Sequence, residues 1–218
     1  MPKRFDLVVF DWDGTLIDSA GAIVACIQAA CRDLGLPVPD DERASHVIGL
    51  GLADALAHAI PGLPAAEYPR VSERYRHHFL IRGAALPLFP GTHEMLAGLR
   101  GNGHALAIAT GKSRAGLARA LAQAGLQELF DATRCADQCA PKPAPDMLLE
   151  LLDEVGVAAG RALMVGDTSH DVQMAANAGV AAVAVSYGAH DGAQLAALSP
   201  LALVHSTPEL ARWLAANA

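Results

Sequence analysis

Short apolar runs alternate with helical patterns along most of this chain, and polar or glycine residues follow the runs. Such an alternation predicts a parallel sheet covered by helices on both faces, which is an α/β fold. Sheets of this kind bind ligands beyond the carboxyl ends of their strands. The predicted strands are Leu7–Phe10, His104–Ala109, Phe130–Arg134, Arg161–Val165 and Ala181–Ser186. The predicted helices after residue 90 are Gly91–Leu99, Arg114–Ala124, Pro145–Val155, Asp171–Ala178 and Pro208–Ala216.

The segment directly after the first strand has helical periodicity only. Four helices are predicted there, at Asp18–Leu34, Asp41–Val47, Leu52–Ile60 and Glu67–Ile81. A block of helices without strands indicates an insertion into the α/β domain. We therefore expect an α/β core made of residues 1–17 and 84–218, and a small helical domain made of residues 18–83.

Composition and charge exclude several classes of protein. Hydrophobic residues make up 52% of the 218 residues, so the chain can bury a sizeable core. The net charge of −7 disfavours nucleic-acid binding, which needs a basic surface. The sequence shows no signal peptide and no apolar run that would span a bilayer, so we expect a soluble cytoplasmic protein without a membrane partner. Its four cysteines are expected to be reduced thiols.

Two aspartates, Asp11 and Asp13, follow the first predicted strand directly. Carboxylates this close repel each other, and a divalent cation such as Mg²⁺ relieves the repulsion. A carboxylate can also act as a covalent nucleophile. The alternative is a plain turn, because Asp-Gly is a common turn pair.

Two further segments carry groups that suit phosphate. Thr110 and Gly111 open the sequence TGKS, which is not a nucleotide-binding P-loop because Leu106 stands where that motif needs glycine. Its hydroxyl and backbone N–H groups can hold phosphate oxygens, whereas a helix cap at Ser113 is the simpler alternative. Lys142 lies between two prolines that would hold its ammonium in place, although a proline-rich helix entry explains the segment equally well.

The sequence VGDTSHD ends another predicted strand with a carboxylate, Asp167, and has a second one at Asp171. Asp167 would join Asp11 on a cation, and Asp171 would brace the loop or a metal-bound water. Helix capping is the alternative for both. His170 lies nearest to this site among the histidines, most of which are expected on the surface.

Taken together, these segments resemble the haloacid dehalogenase superfamily of phosphotransferases. The resemblance rests on Asp-x-Asp-Gly-Thr at Asp11–Thr15, the strand-end Thr110, Lys142, and Gly-Asp-Thr-x-x-Asp at Gly166–Asp171. It covers essentially the whole chain and is closest to the phosphoglycolate phosphatase-like branch. It implies a Rossmann-like core with a helical cap inserted after the first strand.

The resemblance also implies a role for each residue. Asp11 would attack phosphorus, and Asp13 would protonate the leaving alcohol and then activate water. The Mg²⁺ cofactor would be held by Asp11, Asp167 and the backbone carbonyl of Asp13. The phosphoryl group would be held by Thr110, Gly111 and Lys142. The supporting residues would be Gly14, Thr15 and Asp171.

The substrate implied by the resemblance is a small phosphorylated metabolite, 2-phosphoglycolate or a related ester. Arg43 and Arg82 are candidate partners for its carboxylate, and Trp12 is expected to pack away from the site. A sugar-phosphate mutase and a catalytically inactive binding protein are the alternatives. Mutases of this superfamily carry charged residues where this chain has Ile23, Ile48 and Leu52. Asp13 argues against dehalogenation, which needs no general acid, and the oligomeric state stays open between monomer and homodimer.

Overall fold

A six-stranded parallel sheet lies at the centre of the computed structural model, which describes residues 3–82 and 86–218. The strands are β1 (Leu7–Phe10), β2 (Ala105–Thr110), β3 (Ala132–Cys135), β4 (Ala162–Gly166), β5 (Ala181–Val185) and β6 (Ala202–Val204). Their order is β3-β2-β1-β4-β5-β6, so the central strand β1 lies between β2 and β4. Val9 faces Ala107 on one side and Met164 on the other. The predicted parallel α/β fold is confirmed.

Helices cover both faces of this sheet. The described helices are α1 (Ala20–Leu34), α2 (Asp41–His46), α3 (Leu52–Ala59), α4 (Tyr68–Arg82), α5 (Thr92–Gly101), α6 (Arg114–Ala124), α7 (Asp146–Val155), α8 (Ser169–Asn177), α9 (Gly192–Ala196) and α10 (Thr207–Asn217). Val8 and Phe10 of β1 pack with α5, α6 and α10, whereas Leu7 and Val9 pack with α7, α8 and α9. Successive side chains of a strand point to opposite faces, and both faces are covered here, so β1 is apolar throughout. None of the described helices combines the length and the apolarity that a membrane crossing requires.

The helices α1 to α4 share a hydrophobic cluster of their own. Its buried members include Ile23, Ile27, Leu56 and Val71. We call α1 to α4 and their connecting loops the helical segment. The boundary expected between residues 83 and 84 falls outside the described residues, and the division into core and cap stays a prediction.

Two chain crossings join the helical segment to the sheet, and they run side by side. Ile17 and Leu88 form an antiparallel bridge. On either side of it, Asp18 donates its N–H to the carbonyl of Pro87 at 3.0 Å, and Phe89 donates to Leu16 at 3.0 Å. Because the entering and leaving strands are tied to each other, the helical segment begins and ends at one point beside the end of β1.

Two elements were not predicted from the sequence. The strand β6 has three residues and α9 has five, so neither is long enough to show a period of its own. The side chain of Asp191 caps α9 by accepting from Ala193 N at 2.8 Å. The apolar run at 201–204 between serine-containing turns is the signal that marks β6 in retrospect.

Candidate active site

Three of the predicted site residues lie at the carboxyl ends of neighbouring strands. Asp11 follows β1, Thr110 ends β2 and Asp167 follows β4, and all three are fully buried. The chain leaves β1 towards β2 on one side and later returns to β4 on the other. Such a switch point leaves a crevice at the strand ends, where ligands bind in open α/β sheets. The expected meeting of these residues at one sheet edge is therefore observed.

Three carboxylates gather around one ammonium in this crevice. One oxygen from each of Asp11, Asp167 and Asp171 lies within 4.8 Å of the others. The Nζ atom of Lys142 lies 2.9 Å from Asp11 Oδ1 and 2.6 Å from Asp171 Oδ1. The carboxylate of Asp13 does not belong to this cluster. Lys142 thus reaches the nucleophile position expected for Asp11, and it does so as part of a buried charge network.

The burial of these charges shifts their pKa values. Burial raises the pKa of Asp11 to about 7, against the opposing effect of Lys142, and the negative charge of Asp171 adds to the rise. Burial, followed by repulsion from Asp11, also raises the pKa of Asp167 well above its ordinary value. Burial alone would lower the pKa of Lys142, yet its two carboxylate neighbours raise it. The positive charge of Lys142 therefore does not balance the negative charge of the three carboxylates.

The donor set fits a divalent cation. Neither carboxylate oxygen of Asp11 has a hydrogen-bond donor among the described residues, because the contact with Lys142 is an ion pair without hydrogen-bond geometry. Buried carboxylate oxygens normally have such partners. Three carboxylates and one ammonium have a net negative charge, and carboxylate oxygens are ligands that Mg²⁺ prefers. Asp11 and Asp167 are the members that belong to the expected metal set.

Asp167 is held in place from both sides. Thr15 Oγ1 donates to its Oδ1 at 2.8 Å, and Ala189 N donates to its Oδ2 at 2.7 Å. Gly14 adopts φ 78°, and a Cβ atom there would overlap the Asp167 carboxylate. A Cβ atom at Gly188 would also overlap the Asp167 carboxylate. Gly14 and Thr15 therefore shape the space around Asp167, and the supporting role expected for them stays a prediction.

Asp171 serves the loop and the lysine at the same time. Its Oδ2 accepts from Thr168 N at 3.1 Å and from Thr168 Oγ1 at 2.7 Å, in the capping box of α8. Its Oδ1 accepts from Lys142 at 2.6 Å. Both alternatives considered for this residue, bracing and capping, are thus present. Asp171 positions Lys142, which in turn contacts Asp11.

Asp13 has two partners that the sequence did not reveal. Ser19 Oγ donates to Asp13 Oδ1 at 2.7 Å, and Lys112 Nζ lies 2.9 Å from Asp13 Oδ2. Lys112 belongs to the TGKS segment, for which a phosphate loop and a helix cap at Ser113 were considered, and Ser113 does cap α6 by accepting from Gly116 N at 3.2 Å. Thr110 Oγ1 accepts from Lys112 N at 3.2 Å, so the turn at the end of β2 aims this lysine towards Asp13.

Gly111 lies against the helical segment. A Cβ atom at this position would overlap the carbonyl groups of Gly49 and Leu50. Only glycine therefore allows the loop between α2 and α3 to approach the end of β2 so closely. Gly111, which with Thr110 is the expected phosphate-binding pair, thus lies beside this loop at the end of β2.

Two buried histidines fasten the helical segment to the sheet domain. His170 Nε2 lies 2.8 Å and His190 Nε2 lies 3.1 Å from the backbone carbonyl of His46, at the end of α2. Ser169 N donates to His190 Nδ1 at 3.0 Å, which leaves Nε2 of that ring as the donor. His170 therefore lies near the site, as expected, but its contact is with the helical segment.

A cavity of about 440 Å³ opens between the helical segment and the strand ends. Asp13, Gly111 and Lys112 form part of its wall. Trp12 borders the cavity but is fully buried in the hydrophobic cluster that includes Val8 and Phe10, and the expectation that it packs away from the site stays a prediction. Arg43 and Arg82, the candidate carboxylate partners, are not among the residues of the wall.

Comparisons with known proteins agree with this geometry. The family model of haloacid dehalogenase-like hydrolases matches residues 8–185. "Probable phosphatase IndB" of Dickeya dadantii is 39% identical over 210 residues, which cover 94% of this chain and 91% of that protein. A phosphoglycolate phosphatase of Aliivibrio fischeri is 33% identical over 209 residues, 92% of either chain. The crystal structure of a hydrolase from Pseudomonas syringae has the same fold, with a TM-score of 0.89, 23% identity and coverage of 99% of both chains. The chain therefore belongs to the haloacid dehalogenase-like hydrolase family.

Proposed function

We propose that this protein is a Mg²⁺-dependent phosphatase that hydrolyses a small phosphomonoester through an aspartyl-phosphate intermediate. A phosphoric monoester hydrolase is the enzyme class that its family and its phosphatase relatives support. The observation that carries the proposal is the state of Asp11. Its carboxylate is buried at the end of the central strand, beside Lys142, and both of its oxygens lack a hydrogen-bond donor among the described residues.

In the first step, a carboxylate oxygen of Asp11 bonds to phosphorus, and the bond between phosphorus and the ester oxygen breaks. The electron pair of that bond stays on the alcohol oxygen, which takes a proton from Asp13. Asp13 is suited to this role because Ser19 and Lys112 hold it at the wall of the cavity. The alcohol leaves, and the phosphoryl group stays on Asp11.

In the second step, Asp13 takes a proton from water while the water oxygen bonds to phosphorus. The bond between phosphorus and the Asp11 oxygen then breaks, inorganic phosphate leaves and both aspartates return to their starting forms. One residue acts as acid and then as base, as the reversal of proton transfer requires. Water enters this reaction as the only co-substrate.

The residues around Asp11 manage charge during both steps. Asp11, Asp167 and the backbone carbonyl of Asp13 would hold Mg²⁺, which supplies the positive charge that lets a carboxylate approach a phosphate dianion. Lys142 adds an ammonium on the other side of Asp11. We assign Thr110 and Gly111, at the end of β2, to the oxygens of the transferring group.

Some of the relatives are named phosphoglycolate phosphatase, and their names suggest 2-phosphoglycolate as the substrate. The mutase alternative lacks support, because Ile23 and Ile48 are buried apolar residues in the positions where mutases of the superfamily carry charge. We further propose a cytoplasmic monomer or homodimer that binds a small phosphorylated metabolite, with neither a nucleic acid nor a membrane as partner. The net charge of −7 supports the first of these exclusions.

Phosphate release from a panel of phosphomonoesters tests the reaction. We expect release that requires Mg²⁺ and stops with a chelator, and a loss of at least about a thousandfold in kcat for Asp11→Asn, in the range expected for a nucleophile. Asp18→Asn is the matched control, since Asp18 is exposed and lies outside the acidic cluster. Mass spectrometry of the intact protein should detect an added phosphoryl group on the wild-type chain and none on Asp11→Asn. Undiminished activity of Asp11→Asn would overturn the mechanism.

A further inference from the structure

The cavity beside Asp13 has a mainly apolar inner wall. The apolar and aromatic residues of this wall include Ile23, Ile27, Ile48, Tyr75 and Phe79 of the helical segment. Ile23, Ile27 and Ile48 are 7%, 2% and 3% exposed. The volume of about 440 Å³ lies in the range of pockets that hold organic ligands well above the size of glycolate.

Among the described residues, the charged side chains of the same wall provide no buried cation that is free to pair with a second anionic group. Lys112 is paired with Asp13 at 2.9 Å and lies 4.6 Å from the centroid of the Phe79 ring. The other charged residues of the wall are exposed, and they are two cations and two anions: Arg76, Arg119, Asp54 and Asp137. A substrate carboxylate would therefore find a cation only at the exposed Arg76 and Arg119 or in competition with Asp13 for Lys112. Among the isoleucine side chains it would lose its hydration, which is costly. The wall thus favours a group that is apolar over most of its surface.

From this wall we infer that the ester hydrolysed at Asp11 carries an uncharged, largely apolar alcohol, of the size of an aromatic ring or a medium alkyl chain. This inference rests on the proposed phosphatase function, and in place of 2-phosphoglycolate, the substrate that the relatives' names suggest, it assigns another class of phosphomonoester. The phosphoryl group lies at the acidic cluster, and the alcohol extends past Asp13 along Ile23, Ile48 and Phe79. The organic group is selected by burial of apolar surface and by the absence of a second charge.

A series of primary alkyl phosphates tests the inference on the wild-type protein. Ethyl, butyl and hexyl phosphate have similar leaving groups, so differences in kcat/KM report the contact with the wall. We expect kcat/KM to rise about threefold per added methylene, as burial of a methylene group predicts, and benzyl phosphate and hexyl phosphate to exceed 2-phosphoglycolate by at least about tenfold. A 2-phosphoglycolate value equal to or above that of hexyl phosphate would overturn the inference and leave the phosphatase proposal intact. Failure of every ester to release phosphate in an Asp11-dependent manner would overturn both.

A substitution in the wall of the cavity provides a second, independent test of the inference. Leu52 lines the cavity and is only partly buried, so a lysine there can reach solvent. We expect Leu52→Lys to lower kcat/KM for hexyl phosphate relative to 2-phosphoglycolate by at least about tenfold, whereas Leu52→Met keeps the preference for the longer chain. An unchanged ratio in a folded Leu52→Lys protein argues against the inference.

Inhibition of the wild-type protein needs no variant at all. Hexylphosphonate and phosphonoacetate carry the same phosphonate group, and only the second adds a carboxylate. We expect hexylphosphonate to inhibit at least about tenfold more strongly, by the same count of buried methylenes. Stronger inhibition by phosphonoacetate would overturn the inference.

Discussion

The Nζ atom of Lys112 lies 2.9 Å from Oδ2 of Asp13, and the same ammonium lies over the ring of Phe79 in α4. Ser19, the residue before α1, holds the other oxygen of Asp13 at 2.7 Å. The proposed general acid is thus fixed by one residue from the end of β2 and by one from the start of the helical segment. Its position therefore depends on how the helical segment lies against the sheet domain.

Lys112→Met should slow the hydrolysis of esters whose leaving alcohol needs a proton from Asp13. Asp13 loses the ammonium that fixes one of its oxygens, and general acid catalysis contributes about 10²–10⁴-fold. We expect kcat/KM to fall about 10- to 100-fold with hexyl phosphate but less than about threefold with p-nitrophenyl phosphate, whose phenolate leaves without protonation. Lys112→Arg is the matched control, because it keeps the charge. Equal losses on both esters would show that Lys112 does not act through Asp13.

Lys142→Met should destabilise the metal-free protein strongly. The substitution leaves three buried carboxylates without their ammonium, and removal of one partner from a buried ion pair costs about 3–5 kcal/mol. Urea unfolding measures this loss, and Mg²⁺ should restore part of it by replacing the missing positive charge. Arg70→Met is the control: its ion pair with Glu67 at 3.3 Å is exposed, so a change below about 1 kcal/mol is expected. A similar small change in Lys142→Met would contradict the proposed charge balance.

The sequence was sufficient for five of the six described strands and for the residues at their carboxyl ends. Apolar runs such as Leu7–Phe10 are buried on both faces of the sheet, so the sequence alone identifies them as strands. The polar residue after each run marks the edge of the sheet where ligands bind. Helix ends were predicted to within two residues where a glycine follows the helix, as at Gly35 and Gly125, which both adopt the left-handed conformation.

The partners of the site residues were beyond reach of the sequence. Lys112 and Ser19 meet Asp13 only because the turn after β2 and the start of α1 converge in space. The contact of His170 and His190 with the carbonyl of His46 likewise joins segments far apart in the chain.

Mg²⁺ should stabilise the protein more at alkaline than at acidic pH. The pKa of Asp11 is about 7 in the folded metal-free protein and near 3.8 when unfolded. The folded state therefore holds this proton more tightly, and the stability from Asp11 is complete below pH 4 and is lost as the pH rises through about 7. Ionised Asp11 is also the form that binds the cation. We expect excess Mg²⁺ to raise Tm by about 5 °C at pH 8 and by less than half of that at pH 5.5, as measured by thermal unfolding.

The Asp11→Asn protein provides the control for this measurement. An amide does not ionise, so its gain in Tm from Mg²⁺ should be small and nearly independent of pH. A wild-type gain that is larger at pH 5.5 than at pH 8 would contradict the assignment of Asp11 to the cation.

His190 should make the fold sensitive to acid. Burial, followed by the neighbouring His170, lowers the pKa of His190 from 6.5 to about 4. As the pH falls below 6.5 the unfolded chain takes up this proton before the folded protein does. The stability from neutral His190 is therefore complete above pH 6.5 and is lost as the pH falls towards 4. A shift of this order corresponds to about 3 kcal/mol, of which about 2 kcal/mol is lost between pH 7 and pH 5.

Replacement of His190 by glutamine isolates this contribution. The amide of His190→Gln can still donate to the carbonyl of His46 but does not take up a proton, so the loss of unfolding free energy between pH 7 and pH 5 should be smaller than in the wild type. His93→Gln is the control, because His93 is exposed and should leave the wild-type slope unchanged. The measurement is urea unfolding at a series of pH values. A slope that is identical in His190→Gln and the wild type would show that the joint between α2 and the sheet domain does not titrate through this ring.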